Sequence, residues 1–326
     1  MAPIDLYASH AHYADHLWRI WLALPDELRG QAYSGNGSSW WGDRLPARYR
    51  TNRLVLVAGW VDVTRLRGTG ARMIYVEHGA GQSYPGDARA RMNESYHGAR
   101  HPAEVVGYLA PSERVAAGWR EARPGVPVGV VGCPRLDPWM NQTVEPDRRR
   151  TLAITWHWNC LIAPEAKSAL PHYRRALPGL IDRWRAQGFQ VLGHGHPRAW
   201  GQLHRMWDEL GVEAVRESNE VLDRAGVLLA DNTSLLYEFA ALDRPVVVAN
   251  APWYRRDVHH GLRFWNLIPG VQVNDADELA GLDLAQHVDL DPFRRDRQIV
   301  LQSVYAHRDG TSAARAAEWL AGLQEG

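Results

Sequence analysis

The stretch VLLADNTSLLYEFAALDRPVVVAN, from Val227 to Asn250, decides the fold. It contains an apolar strand pattern at Val227 to Ala230, a polar turn, a helical segment with one apolar side, and a second apolar strand at Pro245 to Ala249. Two buried strands joined by a short helix predict a parallel βαβ unit.

The polar turn consists of Asp231, Asn232, Thr233 and Ser234. It lies at the carboxyl end of a strand, where ligands bind in open parallel sheets. The helix that begins there offers backbone N–H groups and the positive end of its dipole to a phosphate. Glu238 follows Ser234 by one helical turn, so we expect its carboxylate to reach a ribose diol. The alternative is that Asn232 only caps a core helix and that Glu238 is solvated.

Length and composition restrict the class of protein. The chain has 326 residues, 45% of them hydrophobic, which is enough for two domains of roughly 150 residues each. Lys plus Arg and Asp plus Glu both number 37, and this balance argues against a broad nucleic-acid footprint or a polybasic membrane surface. The first residues do not resemble a signal peptide and no apolar run is long enough to span a bilayer. We therefore expect a cytoplasmic protein without a transmembrane segment, in which Cys133 and Cys160 are free thiols.

Strand and helix patterns alternate along the chain, which predicts parallel α/β sheets. In the first part, strands are predicted at Ile4 to Ala8, Leu54 to Ala58, Met73 to Val76, Val105 to Leu109 and Val126 to Val131, and helices at about His12 to Leu24 and Ser112 to Arg120. Ser83 to His101 lacks hydrophobic periodicity and predicts a long functional loop. Gly132 to Arg150 is rich in proline and charge and predicts an interdomain linker.

After the linker the alternation restarts. Strands are predicted at Thr151 to Trp156, Phe189 to Leu192 and Val212 to Val215 before the unit quoted first, and helices at Ser168 to Arg185 with an interruption at Pro178, Trp200 to Leu210, Pro292 to Tyr305 and Thr311 to Leu323. Two successive Rossmann-like halves with a cleft between them are the simplest architecture that fits this pattern.

Six short motifs occur in a fixed order. They are HGAG from His78, GCPRLD from Gly132, ITW from Ile154, HP at His196, DNTSLLYEFAALDRPVV from Asp231, and DG at Asp309 followed by a helix that contains arginine. In this order and spacing they resemble the CDP-glycerol glycerophosphotransferases of teichoic-acid synthesis. The resemblance implies an α/β, GT-B-like fold with two Rossmann-like domains that face a central cleft. Residues 1–140 would bind the acceptor and residues 141–326 the nucleotide donor, with the last helix packing back on the first domain.

The resemblance also implies an activity. The chain would move a glycosyl or glycerophosphate group from CDP-glycerol or a nucleoside-diphosphate sugar to an acceptor hydroxyl. This transfer needs a base near the attacking oxygen, and cationic groups or N–H donors around the departing phosphate. The chain has no dinucleotide or P-loop glycine motif, and neither of its D-x-D triplets, Asp275 to Asp277 and Asp289 to Asp291, points to a metal-held diphosphate, so we expect neither a metal nor another cofactor.

His78 is the candidate catalytic base, because it follows a strand in a glycine-rich loop and an ordinary imidazole is largely neutral at pH 7. Gly79 and Gly81 would let donor and acceptor approach the backbone. Glu77 is a rival base, but alternation along a strand points it to the opposite face. It also departs from the resembled family, which usually has an aromatic residue at this position.

His10 and His12 begin the first predicted helix and are candidates for acceptor contact. His196 ends a strand of the second half and would bind the donor phosphate or protonate the leaving group. His194, two residues earlier, makes an H-x-H pair that alternatively suggests a metal.

Two further pairs of residues lie at informative positions in the sequence. Thr155 and Trp156 end the first strand of the second half, where a nucleoside base stacks in such folds, although a core tryptophan is an equal alternative. Arg135 and Asp137 lie in the linker and are predicted to form a structural ion pair.

Two other functional classes stay open. UDP-N-acetylglucosamine 2-epimerases share the fold and a phosphate-binding turn, although their glycine pair and double glutamate are replaced here by Thr233-Ser234 and Tyr237-Glu238. A catalytically silent nucleotide-binding module is the other alternative. The sequence does not define the acceptor, which could be a glycan, a polyol phosphate, a protein or a modified base, nor the oligomeric state.

Overall fold

A computed structural model describes residues 2–34, 43–44, 50–80, 101–142, 146–160, 167–254 and 268–325. Gly81 and nearly all of the predicted loop from Ser83 to His101 lie outside these residues. The described residues form two compact units. The first contains the chain up to Asn141 together with the segment from Ser303 onwards, and the second contains Gln142–Gln302.

The first unit is a parallel sheet with helices on both faces. Its strands in the described part are β1 (Ile4–Ala8), β2 (Arg29–Ser34), β3 (Asp43–Arg44), β4 (Leu54–Val57), β5 (Arg72–Val76), β6 (Val105–Ala110) and β7 (Val128–Val130). Its helices are α1 (Ala11–Ala23), α2 (Trp60–Leu66) and α3 (Glu113–Ala122). The strand order is β3-β2-β1-β4-β5-β6-β7, so the direction of strand addition reverses between β1 and β4.

The second unit repeats this plan. Its described strands are β8 (Thr151–Trp156), β9 (Gln190–Gly195), β10 (Glu213–Ala214), β11 (Val227–Ala230), β12 (Val246–Ala249) and β13 (Val271–Val273). Its helices are α4 (Leu170–Tyr173), α5 (Leu177–Ala186), α6 (Trp200–Glu209), α7 (Ser218–Arg224), α8 (Leu235–Ala241), α9 (Ala276–Gly281), α10 (Leu284–Leu290) and α11 (Arg294–Val304). The order β10-β9-β8-β11-β12-β13 is that of a Rossmann sheet, with its reversal between β8 and β11.

The predicted βαβ unit is confirmed. β11 and β12 are parallel neighbours, fully buried, and α8 between them is buried at every position. Burial on both faces explains why these strands are continuous apolar runs rather than alternating ones.

Each unit has its own apolar core. In the first, side chains of β1, β4 and β5 pack with α1 on one face of the sheet and with α2 and α3 on the other. In the second, Trp156, Tyr173, Trp184 and Trp207 are buried between the sheet and its helices. Gly193 in β9 permits this packing, because a Cβ there would lie 2.3 Å from the Trp207 ring.

The last helix, α12 (Ser312–Glu325), belongs to the first unit. The carboxylate of Asp137 accepts hydrogen bonds from the backbone N–H groups of Ser312 (3.0 Å) and Ala313 (2.7 Å), which caps this helix. Asp137 therefore joins the end of the chain to the segment that the sequence predicted to be a linker. The sequence predicted an ion pair with Arg135 for this residue and did not predict the helix cap.

The helical segment expected from Ser168 to Arg185 is interrupted, as predicted. It forms two helices, α4 and α5, and Pro178 lies at the start of α5, where proline is tolerated. Other elements differ from the prediction. The strand β2 and the helix α2 were not predicted. None of the described helices is both long and apolar enough to cross a membrane.

Candidate active site

The first candidate site lies at the carboxyl ends of β1, β4 and β5, where the order of the first sheet reverses. Ile74 and Val76 of β5 belong to the core on the α1 face, whereas Tyr75 belongs to the core on the other face. Alternation continues past the strand, so His78 lies with α1 and Glu77 projects from the opposite face. The predicted separation of these two side chains follows from this register.

His78 is half-buried against α1. Its ring packs edge-on to Tyr13, with 4.7 Å between centroids, and lies 6.3 Å from the rings of both His12 and His16. The imidazole hydrogen-bonds the backbone of Ala58, while its Nδ1 is buried and has no hydrogen-bond partner among the described residues. The Ala58 bond therefore uses Nε2, which leaves the lone pair on Nδ1 of the neutral ring.

Burial lowers the pKa of His78 to about 4, and the hydrogen bond to Ala58 opposes this shift only in part. The ring is consequently neutral at pH 7 and able to accept a proton. Glu77 shows the opposite shift, because burial raises its pKa to about 8. A carboxyl group that is protonated at neutral pH is not a base, so the electrostatics favour His78 over Glu77 for that role.

The histidines of α1 extend this cluster to the surface. His10 and His12 are exposed and stacked, with 5.4 Å between ring centroids, and both contact the Tyr13 ring. His16 is buried below them, and its pKa lies well below the ordinary value because of burial and the nearby Arg135 charge. The structure thus brings His10, His12 and His78 together. Sequence reasoning missed His16, although its i, i+4 spacing from His12 places both on one helix face.

The turn after His78 depends on glycine. Gly79 has a φ of 79°, in the left-handed region that side chains other than glycine rarely adopt. Gly81, the second glycine predicted to line this loop, lies outside the described residues.

The second candidate site lies at the carboxyl ends of β9, β8 and β11, again at the reversal of strand order. Asp231 is fully buried at its centre. One carboxylate oxygen accepts the His157 N–H (2.8 Å), and the other accepts the Ser168 hydroxyl (3.0 Å) and the Ala169 N–H (2.8 Å). Burial raises the pKa of Asp231 to about 7 despite these bonds. Asp231 thus holds the chain that follows β8 against the turn that follows β11.

The predicted nucleotide-binding residues separate into two groups by burial. Asn232, Thr233 and Ser234 are half-buried and reach the surface of the turn. The other predicted residues are buried: Thr155 (2% exposed), Trp156 (0%), Asp231 (0%) and Glu238 (1%). The residues of the second group are therefore covered by the surrounding protein.

Burial bears on two of these predictions. Trp156 packs in the core, with its ring centroid 5.9 Å from that of Tyr173, which agrees with the core alternative rather than with base stacking. Glu238 is covered in α8, as is every residue of this seven-residue helix, so the alternative of a solvated Glu238 is wrong, and its contact with a ribose stays a prediction.

His194 and His196 have different environments. His194 is buried, and its Nδ1 lies 2.6 Å from the Thr155 hydroxyl across the β8–β9 pair. His196 is half-buried, and its Nδ1 accepts the Arg198 N–H (3.2 Å) at the start of a 3-10 helix, Pro197–Ala199. In the described ranges no group of three or more His, Cys, Asp or Glu side chains could hold a metal ion.

An aromatic and basic cluster surrounds His196 that sequence reasoning missed. The His196 ring lies 5.0 Å from that of His157 and 5.9 Å from that of Trp158. The guanidinium carbon of Arg198 lies 4.6 Å from the centre of the Trp158 ring. Their position in the sequence could have identified these residues, because His157, Trp158 and Arg198 all follow the carboxyl ends of predicted strands, where ligands bind.

Solved structures define the class of fold. The wall teichoic acid polymerase TagF matches with a TM-score of 0.63 and 13% identity, over 99% of this chain and 88% of that chain. S. aureus MnaA, in a co-structure with UDP, matches with a TM-score of 0.65 and 12% identity, over 100% and 97%. A putative UDP-N-acetylglucosamine 2-epimerase from Listeria monocytogenes matches with a TM-score of 0.63 and 11% identity, over 99% and 96%. The predicted GT-B-like fold is confirmed.

The sequence itself then distinguishes among the activities that this fold carries. The family model of the CDP-glycerol:poly(glycerophosphate) glycerophosphotransferases matches residues 108–321, more than half of the chain, and the chain belongs to this family. None of the curated proteins matches the chain. The chain is therefore a transferase with a nucleotide-activated donor, as predicted, and the epimerase alternative is not favoured.

Proposed function

We propose that this protein transfers glycerophosphate from CDP-glycerol to an acceptor hydroxyl, with the acceptor bound by the first unit and the donor by the second. Family membership supports the donor. A structure of TagF soaked with CDPG, which matches with a TM-score of 0.63 and 12% identity, shows that a protein of this fold has been studied with such a donor. The observation that carries the proposal is the neutral His78 ring, whose buried Nδ1 has no hydrogen-bond partner among the described residues.

The proposed reaction is a displacement at phosphorus. The acceptor oxygen forms a bond to the β-phosphorus of CDP-glycerol, and the bond from that phosphorus to the bridging oxygen breaks. CMP leaves with the electron pair, and the acceptor proton moves to Nδ1 of His78. Since the base must be neutral to accept this proton, the low pKa of His78 keeps it available through the neutral range.

On the donor side, the proposal gives the phosphate contacts to the accessible residues. The hydroxyls of Thr233 and Ser234 and the imidazole of His196 are half-buried at one sheet edge and offer donors to phosphate oxygens. Asp231 and Thr155 hold that edge in place. The helix α8 has only seven residues, so we assign more of the binding to these side chains than to the helix dipole.

We also propose that no metal takes part and that the protein acts in the cytoplasm. The first proposal requires protein groups alone to neutralise the leaving phosphate. Cys133 and Cys160 are buried and are not joined in a disulfide, which fits a reducing compartment.

The experiment is to incubate the full chain with CDP-glycerol and a panel of acceptors, namely polyol phosphates, glycans and glycerol, and to measure CMP release and product mass. Transfer with stoichiometric CMP supports the proposal. Release of CDP would show transfer of glycerol rather than glycerophosphate. Epimerisation of UDP-N-acetylglucosamine without CMP release from CDP-glycerol would overturn it.

A further inference from the structure

An arginine at the second site carries a charge that no carboxylate of the described residues neutralises. Arg198 is exposed in the short 3-10 helix after β9, and no carboxylate in the described part of the chain forms an ion pair with it. Its guanidinium instead lies over the Trp158 ring, 4.6 Å from the centre. A guanidinium stacked on an indole is held in place but keeps all its N–H donors at the edge of the plane.

Two other arginines of this unit, both buried, are already engaged by protein groups. Arg244 is buried and donates to the carbonyl oxygens of Leu222 and Ala225. Arg297 is buried in an ion pair with Asp291. Arg198 differs from both, because its contact with Trp158 orients the side chain and leaves its charge without a carboxylate partner among the described residues.

The position of Arg198 connects it to the proposed donor site. β8 and β9 are in register up to Trp156 and Gly195, so Trp158 and Arg198 follow the carboxyl ends of two adjacent strands. The His196 ring lies 5.9 Å from that of Trp158, and its Nδ1 accepts the backbone N–H of Arg198. The His157 N–H bonds Asp231, which joins this cluster to the turn after β11.

We propose that Arg198 binds the diphosphate of the nucleotide donor and that Trp158 positions Arg198 for this contact. The inference rests on the proposed function of the second unit. The planar fork of a guanidinium matches two phosphate oxygens, and it bears the positive charge that a metal-free site must supply. As the bond from the β-phosphorus to the bridging oxygen breaks, its electron pair stays on that oxygen, which leaves with the nucleoside monophosphate, and Arg198 stabilises the charge that develops there.

A different use of Trp158 is a stacking surface for the nucleoside base. The Arg198 guanidinium already covers one face of that ring, which favours the positioning role. Binding of free cytidine separates the two roles, because cytidine has the base and lacks the phosphates.

The test is calorimetric titration of the full chain with CDP, CMP and cytidine. Arg198→Ala is expected to weaken CDP binding by about 10- to 100-fold, as for loss of a charged hydrogen bond, with a smaller loss for CMP. Cytidine binding should not change. The CDP affinity of Arg198→Lys should lie between those of the wild type and Arg198→Ala, since lysine keeps the positive charge and lacks the planar guanidinium. The matched control is Arg205→Ala, an exposed arginine of α6, which should bind like the wild type.

A double-mutant cycle tests the role of Trp158. Trp158→Leu should weaken CDP binding several-fold in the wild-type background and hardly at all when Arg198 is already alanine. Equal losses in both backgrounds, accompanied by weaker cytidine binding, would show that Trp158 stacks the base and would overturn its positioning role.

The outcomes also separate this inference from the proposed donor. Unchanged CDP affinity in folded Arg198→Ala protein, or an equal loss for cytidine, overturns the role of Arg198 while leaving the donor intact. Binding of another nucleoside diphosphate in place of CDP, with the same dependence on Arg198, supports this inference and overturns CDP-glycerol as donor. A wild-type chain that binds no nucleoside diphosphate overturns both.

Discussion

Replacing Asp231 by alanine should destabilise the second unit and release the chain that follows β8. The carboxylate accepts three hydrogen bonds, from the N–H groups of His157 and Ala169 and from the Ser168 hydroxyl. Each buried donor left unsatisfied costs about 1–3 kcal/mol. His157 is half-buried and can be rehydrated, so its share is small.

Removal of the carboxylate also has a stabilising effect, because it relieves the desolvation of a buried charge. Burial raises the pKa of Asp231 to about 7, which shows that its charge is poorly solvated in the folded state. Two donors that stay buried would cost roughly 2–6 kcal/mol, and relief of this desolvation offsets part of that cost. We expect a net loss of about 2–4 kcal/mol, a large fraction of the about 5–15 kcal/mol that stabilises a typical domain.

The assay combines urea denaturation, followed by tryptophan fluorescence, with amide hydrogen exchange. Asp231→Ala should lower the unfolding midpoint and speed exchange at His157 and Ala169. Asp182→Ala is the matched control, because its side chain is 81% exposed and should leave both unchanged. A midpoint for Asp231→Ala equal to that of the control, with exchange at Ala169 unaltered, would refute the reasoning.

The pH dependence gives the sign of the charge effect. The folded pKa of Asp231 is raised above its unfolded value, so the folded state binds more protons between about pH 4 and pH 7. The stability that comes from this protonation is present below about pH 4 and is lost as the pH rises through about 7. The Asp231→Asn side chain cannot titrate, so the difference in the free energy of unfolding between the wild type and this variant should shrink as the pH rises across this window. A deficit that grows with pH would contradict the raised pKa.

Two predictions concern the reaction. His78→Ala should lower kcat by about 10²–10⁴ and leave CDP affinity unchanged. Wild-type activity should persist as the pH falls from 7 towards 5, because burial lowers the pKa of the base to about 4. Loss of activity with a midpoint at about 6.5 would indicate a histidine with an ordinary pKa. EDTA should leave CMP release unchanged, and the His78→Ala enzyme is its inactive reference; inhibition by EDTA that added Mg²⁺ or Zn²⁺ reverses would show that a metal takes part.

Several elements of the fold were predictable because the local pattern and the tertiary environment agree. Val227–Ala230 was predicted with its observed bounds, since a strand buried on both faces must be apolar throughout. Ser112 was predicted as a cap, and its hydroxyl accepts the Val115 N–H. β2 was missed, because its residues, RGQAYS, are mostly polar and small and the strand is held by pairing with β1 and β3.

The candidate site was only partly predictable for a related reason. Sequence position places a residue at the end of a strand, and this was enough to find His78, His196 and the turn from Asp231 to Ser234. It does not show which side chains face outward, and burial was what separated Thr233 and Ser234 from Glu238 and Trp156. A helix turn or a strand end has the same sequence whether its polar side chain faces a ligand or the core.

The sequence by itself determined most of the strands and helices, the parallel class of the sheets and the family, because these depend on periodicity and on motifs that are local in the chain. Only the tertiary structure decided the chemical state and surroundings of the candidate residues. The low pKa of His78 arises from burial against Tyr13, and the alignment of Arg198 arises from Trp158, 40 residues earlier. Burial and contacts between distant parts of the chain are set by the packing of whole elements, which no local pattern contains.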